Sequence, residues 1–248
     1  MAAQLAPVVQ LPVYRSTRRV SIFPSLPDNR IEDVGPVMGY SLSWDAKINV
    51  HLKDRAIENV DYVLFGTGYY PQVSYLRVFQ PPNRTTQHTP RSLAPLTYGT
   101  ILQPIRIPSL YRHVLYAPNA SLAFTGALIS FTPFAMADLT STWLTLVWRA
   151  QIAVPSTTEA RLVDERARLD TLRQLRAETD NPSELVSFHF LAQFELEYAQ
   201  MVRTEIVRAA PHLAEVLAPW DEAQDERRFG MYATKLDSLY VLAGRKKG

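Results

Sequence analysis

The residues with the clearest chemical potential lie in a short basic segment, YRSTRR, which runs from Tyr14 to Arg19. Ser16, Arg18 and Arg19 follow a predicted strand. At the end of the second strand of a dinucleotide-binding fold, an acidic residue suits NAD and an arginine accommodates the 2′-phosphate of NADP. Arginine suits a phosphate because its guanidinium is planar and permanently charged. An ordinary basic turn is the alternative, and these residues alone do not decide between the two.

A second segment, VDYVLFGTGYYP from Val60 to Pro71, has the pattern of a buried strand that ends in glycine. Glycine is used where a backbone must approach a ligand or another chain closely. The segment ASLAFTGALISFTPF repeats this arrangement, with a short strand from Leu122 to Phe124 that ends at Gly126. Both glycine segments are therefore candidates for a ligand contact. A tightly packed strand and turn in any α/β protein would give the same pattern.

Several kinds of chemistry are excluded by what the chain lacks. Without cysteine there are no disulfides, thiolate metal sites or thiol nucleophiles. The sequence also contains no G-x-S-x-G, G-x-x-x-x-G-K or H-E-x-x-H motif. None of the five histidines has a second ligand at metal spacing, so we expect surface or packing roles for all of them: His51, His88, His113, His189 and His212. No catalytic residue and no metal ligand is predicted.

The overall charge narrows the choice of partners. With 26 basic and 24 acidic residues the formal charge is +2, which is too balanced to suggest nucleic acid. The first residues lack the pattern of a secretory signal, and the uncharged run from His113 to Ala137 is broken by Pro118, Gly126 and Pro133. We therefore expect a cytoplasmic protein.

The elements that must position these residues form a mixture of helices and strands. Strands are predicted at 11–16, 62–66 and 122–124, with a hairpin around Asp45-Ala46 and a long surface excursion over 77–112. Helices are predicted at 2–10, 134–150, 157–178 and 183–208. Two of the helices have start signals: Ser156 with Glu159, and Asn181 with Pro182 and Glu184.

These pieces together resemble one family. VDYVLFGTGYYP is similar to the Thr-Gly-Tyr strand of the flavin-containing monooxygenases, especially the fungal members. Residues 110–134, LYRHVLYAPNASLAFTGALISFTPF, are similar to a late segment of their flavin domain, and VWRAQIAVPSTTE to the helix and turn that follow. The resemblance extends from Ala2 to about Arg208. One departure is AMADLTSTW, 135–143, where family members commonly have a glutamine that contacts the flavin.

The resemblance implies a fold and a set of cofactor contacts. The fold class would be α/β: the C-terminal part of a Rossmann-like flavoprotein with two dinucleotide-binding domains and additional C-terminal helices. Residues 1–66 would complete the NADPH domain, 67–210 would form part of the FAD domain with a helical extension, and 211–248 would be a charged tail. Residues implied in cofactor binding are Ser16, Arg18, Arg19, Gly66, Thr67, Gly68, Tyr69, Gly126, Pro133 and Phe134.

The activity implied is the oxygenation of nitrogen or sulfur in small substrates by FAD reduced with NADPH. The cofactor performs such chemistry while the protein binds and orients it. Both glycine-rich loops of the family, G-x-G-x-x-G, are absent from the sequence. We therefore expect a C-terminal fragment that by itself neither holds FAD tightly nor oxidises NADPH. Its expected partner is a missing N-terminal half or a second copy. The alternative is a non-catalytic remnant or a protein-interaction module, because a divided sheet exposes unpaired edges and apolar faces.

Overall fold

The computed structural model describes residues 2–17, 28–66, 71–79, 93–97, 104–178 and 187–242. Its helices and small sheets place the chain broadly in the α/β class. The chain divides into two compact units, Met1–Gly68 with Phe229–Gly248 and Tyr69–Arg228. Among the described residues, no helix has both the length and the apolar run needed to cross a bilayer.

The first unit opens with a short helix and a pair of parallel strands. Helix α1 is Ala2–Leu5, and strands β1, Val13–Ser16, and β2, Ile31–Val34, pair with Val13 opposite Ile31. The predicted strand at 11–16 is therefore confirmed over its last four residues. The predicted helix 2–10 is too long, since only turns and bends follow Leu5. Val8 and Val9 are exposed there, so no apolar face supports further helical turns.

Three antiparallel strands complete the sheets of this unit. Strands β3, Gly39–Leu42, β4, Ile48–His51, and β5, Ala56–Val60, follow one another in the sheet. The predicted hairpin around Asp45-Ala46 is confirmed, because the Ser43 amide donates to the Lys47 carbonyl and Ala46 adopts a φ of +62°. A small core holds the unit together, and its buried members are Val34, Val50, Leu52 and Ile57.

The predicted strand at 62–66 is wrong. The strand that pairs with β4 is β5, which ends at Val60, and the residues after it have no ladder partner among the described residues. Tyr62, Leu64 and Phe65 are largely exposed instead of buried. Of the apolar residues that suggested a buried strand, Val60 and Val63 pack partly buried against the small core of this unit, whereas these three side chains lie outside it.

The second unit is built mainly from helices. Strands β6, Arg77–Phe79, and β7, Leu93–Pro95, pair with each other, as do β8, Leu110–Tyr111, and β9, Leu115–Tyr116. Helices α2, Pro133–Trp148, α3, Thr158–Ala177, and α4, Glu195–Ala209, follow, and α5, Glu222–Leu242, begins in this unit. Helix α2 packs on α4, and the largest core cluster includes Leu139, Trp143, Val202 and Ile206.

Two of the three long helices lie where the sequence predicts them. Helices α2 and α3 confirm the predictions near 134–150 and 157–178. The cap of α3 is Thr157, whose hydroxyl accepts a hydrogen bond from the Ala160 amide, and not Ser156 as predicted. The start of the third helix is wrong: α4 begins at Glu195, after a 3-10 turn at Ala192–Phe194. Asn181, Pro182 and Glu184 lie outside the described residues.

The predicted strand Leu122 to Phe124 is reduced to a single bridge. Ala123 pairs antiparallel with Leu115, and the Phe124 amide donates to the Val114 carbonyl. The backbone turns at Thr125 and Gly126 directly after it, so the pairing cannot extend. The segment still runs beside β9, as a strand would.

Candidate functional site

Ser16 lies at the carboxyl end of β1, where parallel strands of α/β folds present ligand-binding residues. Its hydroxyl donates a 2.9 Å hydrogen bond to the Gly35 carbonyl, just beyond β2. The neighbouring Arg15 forms a bidentate ion pair with Asp33 across the two strands, with N···O distances of 2.5 and 2.7 Å. Hydrogen bonding to Arg15 lowers the pKa of Asp33. Arg18 and Arg19 lie outside the described residues.

The first glycine segment is described only up to Gly66. This residue is exposed, and a Cβ atom added to it would meet no atom of the described residues within 4 Å, its chain neighbours apart. The close backbone contact expected at this glycine is therefore absent from the described part of the chain. Thr67, Gly68 and Tyr69 lie outside that part, so their predicted contact with a cofactor stays a prediction.

The second glycine segment has a backbone that requires glycine. Gly126 adopts a φ of +79°, in the left-handed region that other residues rarely occupy. Apart from its two chain neighbours, no described residue has a heavy atom within 4 Å of where its Cβ would be. Open space at a position of this conformation leaves room for a ligand to reach the backbone.

The start of α2 is exposed and has no cap. Pro133 is its first residue and lacks an N–H group, and Phe134 is 90% exposed. No side chain caps this end, and its first turn contains no acidic residue. The Phe134 and Ala135 amides therefore remain available for an electron-rich ligand, which a helix N-terminus favours.

A buried ion pair holds the segment before α2 in place. The Ser130 hydroxyl accepts a hydrogen bond from the Thr132 amide and donates to Glu195 Oε1 at 2.7 Å. Glu195 is fully buried, and its Oε2 lies 3.2 Å from the Arg228 guanidinium. The segment before α2 is thus held by the first residue of α4 and, through it, by the second turn of α5.

Two histidines that the sequence left scattered meet in the core of the second unit. The Nδ1 atoms of His113 and His189 are 3.3 Å apart, and both residues are buried. The backbone amide of Ile107 donates to His189 Nε2 at 3.0 Å. The prediction of packing residues holds for this pair, but no sequence pattern indicated their contact, because 76 residues separate them.

Arginines surround the histidine pair. Arg106 forms an ion pair with Glu165 at 2.8 Å, and Arg168 donates hydrogen bonds to the carbonyls of Ser187, Phe188 and Phe190. Burial disfavours the charged imidazole and lowers the pKa of His189 to about 4, with repulsion from Arg106 and Arg168 adding to the effect. Burial also holds the pKa of His113 well below its usual range, and His189 and Arg168 lower it further. Both rings are neutral near pH 7.

The turn that carries His113 is conformationally unusual. Ser109, Arg112 and His113 all have positive φ values, between 50° and 62°. The turn is held by the Asp164 carboxylate, which accepts from the Arg112 amide at 2.8 Å, and by the Tyr198 hydroxyl, which donates to the Arg112 carbonyl at 2.9 Å. Such strained conformations persist where surrounding contacts over-determine them.

The structure brings together only part of the predicted site. Gly126, Pro133 and Phe134 lie in one continuous segment of the second unit, whereas Ser16 and Gly66 belong to the first unit. Among the described residues there is no group of three side chains suited to hold a metal ion. No protein-family model matches the chain.

Proposed function

We propose that this chain is the C-terminal part of an FAD- and NADPH-dependent monooxygenase that oxygenates nitrogen or sulfur in small substrates. The observation that carries the proposal is the start of α2, where an exposed helix start without a side-chain cap follows a glycine of positive φ. The parallel pair β1 and β2, with Ser16 at its carboxyl end, agrees with a remnant of a nucleotide-binding sheet. The same proposal includes a Rossmann-like fold for the nucleotide-binding parts of the complete protein.

The described residues fit one part of FAD and not the rest. The Phe134 and Ala135 amides, at the start of the helix that follows Gly126 in the chain, suit the oxygen- and nitrogen-rich edge of an isoalloxazine ring. A pyrophosphate needs a glycine-rich loop that opens a helix, and the nine glycines of this chain form none. When bound, reduced FAD supplies the activation of dioxygen, and this chain would contribute orientation of the ring from one side.

The residues expected to contact NADPH all belong to the first unit. Ser16 is engaged with Gly35, so its hydroxyl is free to accept, but not to donate, a further hydrogen bond. Arg15 is neutralised by Asp33, which leaves Arg18 and Arg19 as the expected partners of a 2′-phosphate. A missing N-terminal half or a second copy would supply the remaining nucleotide contacts.

Amide NMR on the isolated chain tests the proposed flavin contact. Titration with riboflavin should shift the resonances of Gly126, Phe134 and Ala135, because these groups are placed to meet the ring. The start of α3 is the matched control, since Thr157 already caps the Ala160 amide there. Resonances that stay unchanged at the start of α2, or that shift equally at both helix starts, would contradict the proposal.

A protein-interaction module is the second candidate, and a specific surface favours it. Leu42, Trp44, Tyr62 and Phe65 in the first unit are strongly exposed, with Trp44 99% exposed. An open groove of about 370 Å³ lies against β3, lined by Tyr40, Leu42 and Phe65 among others. Exposed apolar patches of this kind commonly mark protein interfaces.

Sedimentation velocity of the purified chain, with and without the substitutions Leu42→Ser and Trp44→Ser, tests this second candidate. Concentration-dependent association that both substitutions abolish would favour the interaction module. The control is the substitution Val163→Ser, which removes an exposed apolar side chain from α3 and should leave the association unchanged. A monomer at all concentrations would count against self-association through this surface.

A further inference from the structure

The hydrogen bonds around the histidine pair determine where each imidazole carries its proton. Because the Ile107 amide donates to His189 Nε2, that nitrogen must present its lone pair. Neutral His189 therefore carries its proton on Nδ1, which faces His113 Nδ1 at 3.3 Å. His113 Nδ1 accepts a hydrogen bond from this N–H group, so the proton of neutral His113 lies on Nε2.

Protonation of either ring removes one of these two hydrogen bonds. A proton added to His113 enters at Nδ1 and sets two N–H groups against each other. A proton added to His189 enters at Nε2 and opposes the Ile107 amide. Neither charged form can keep the observed arrangement.

The groups that face the pair oppose a positive charge. Arg106 comes from the segment before β8, with its guanidinium 5.7 Å from the Phe188 ring, and Arg168 comes from α3. The nearby carboxylates are already engaged: Glu165 by Arg106 and the Ser109 amide, and Asp164 by the Arg112 amide. From α4 the neutral Tyr198 ring packs on His113. Among the described residues, no carboxylate hydrogen-bonds either imidazole.

We propose that His113 and His189 form a proton-sensitive latch, which holds segment 187–191 against the turn 107–113 while both rings are neutral and releases it when either is protonated. The Ile129 amide donates to the His189 carbonyl at 2.9 Å, and Ile129 pairs with Phe190 in a parallel bridge. Release of the segment therefore frees the loop that leads into α2. The latch does not depend on the proposed flavin chemistry.

The pH window follows from the two states of the segment. Released histidines titrate near their ordinary pKa of about 6.5, whereas the closed pair resists protonation down to much lower pH. The closed form of the latch therefore has its full stability above about pH 6.5, and this stability decreases progressively as the pH falls. The population of the open form rises about tenfold per pH unit for each proton taken up.

Hydrogen–deuterium exchange of the whole chain between pH 6.5 and 5 tests the latch, with rates corrected for intrinsic exchange. The Ile107 and Ile129 amides should lose protection by about tenfold per pH unit or more, while the Ile206 amide in α4 keeps its protection. Constant protection at Ile107 and Ile129 would overturn the proposal. Parallel loss at Ile206 would also overturn it, because it would indicate unfolding of the whole unit.

Two further measurements complete the test. Nitrogen NMR at pH 7 should find the proton of His189 on Nδ1 and that of His113 on Nε2, and the reverse assignment would contradict the latch. A chain with both His113→Gln and His189→Gln cannot take up these protons, so its protection should not change over this pH range. His212→Gln, at an exposed histidine of the same unit, is the control and should behave as the unaltered chain does.

Discussion

Single residues matter most where charge is buried, and the Glu195 and Arg228 pair is the clearest example. Both side chains are almost completely buried, and Arg228 also pairs with Asp225, so removing Glu195 deletes one of two countercharges of the guanidinium and the acceptor of the Ser130 hydroxyl. We expect Glu195→Ala to lower the free energy of unfolding by about 1.5 to 3 kcal/mol. Urea denaturation at pH 7 measures this change.

The matched control is the exposed pair Arg173 and Asp170 on α3. Asp170→Ala should change the free energy of unfolding by less than about 0.5 kcal/mol, since exposed pairs contribute little. Equal effects of the two substitutions would show that Glu195 is not held as the structure describes.

Tyr198 gives a prediction at high pH. Burial raises the pKa of its hydroxyl well above the usual range, so in the folded chain it stays protonated when an exposed tyrosine ionises. Its contribution to stability is complete below about pH 10 and is lost as the pH rises further. Tyr198→Phe should destabilise by about 1 kcal/mol at pH 7, because the bond to the Arg112 carbonyl is lost.

The destabilisation caused by Tyr198→Phe should shrink above pH 10, where the unaltered chain loses stability by keeping this hydroxyl protonated. Thermal unfolding of both chains at pH 7 and pH 10.5 measures the difference. A difference that is independent of pH would contradict a buried hydroxyl at this position.

At the residue scale the sequence indicates residue classes but not their contacts. The absence of cysteine limits the chemistry directly, whereas the meeting of His113 with His189 depends on how the turn after β8 packs against segment 187–191. That contact is tertiary and has no local signal. The Ser16 hydroxyl is likewise engaged by a carbonyl on the neighbouring strand, which only strand pairing could show.

Among the elements, helix α3 tests the assignment of its cap. Thr157 accepts from the Ala160 amide, whereas Ser156 is the residue that the spacing to Glu159 favours. We expect Thr157→Ala to destabilise by about 1 kcal/mol and Ser156→Ala to have little effect. Urea denaturation of both variants checks this, and the opposite order would restore Ser156 as the cap.

Alanine substitutions in the two glycine segments test the described backbone conformation of Gly126. Gly126→Ala places a side chain at a φ of +79° and should destabilise by about 1 to 2 kcal/mol. Gly66→Ala is the control, because its backbone does not lie in the left-handed region and its surroundings are open. If both variants unfold at the same denaturant concentration as the unaltered chain, the described conformation of Gly126 is incorrect.

Element prediction succeeded where local signals agree with packing. The helices α2 and α3 and the hairpin between β3 and β4 carry their own periodicity or turn residues. It failed where tertiary contacts override the pattern. Arg168 binds three carbonyls of segment 187–190 that a helix would have used. After β5, Tyr62, Leu64 and Phe65 stay outside the small core.

For the molecule as a whole, the two units differ in how much apolar surface they bury. The second unit has a large core around α2 and α4, whereas the described residues of the first form a core cluster of four buried side chains and leave several aromatic side chains exposed. Broad α/β content follows from the sequence pattern. The proposed NADPH contacts of the first unit and flavin contacts of the second also require a missing N-terminal half or a second copy. The sequence pattern does not identify which of these partners is present.

We propose that this chain contacts one side of a flavin and no part of its adenosine diphosphate half. Fluorescence titration of the purified chain with FAD and with riboflavin tests this proposal. We expect weak binding with dissociation constants of similar size, because no glycine-rich loop receives the pyrophosphate. FAD bound at least about tenfold more tightly than riboflavin, a difference of about 1.4 kcal/mol, would contradict the claim. Binding of neither compound would contradict it equally.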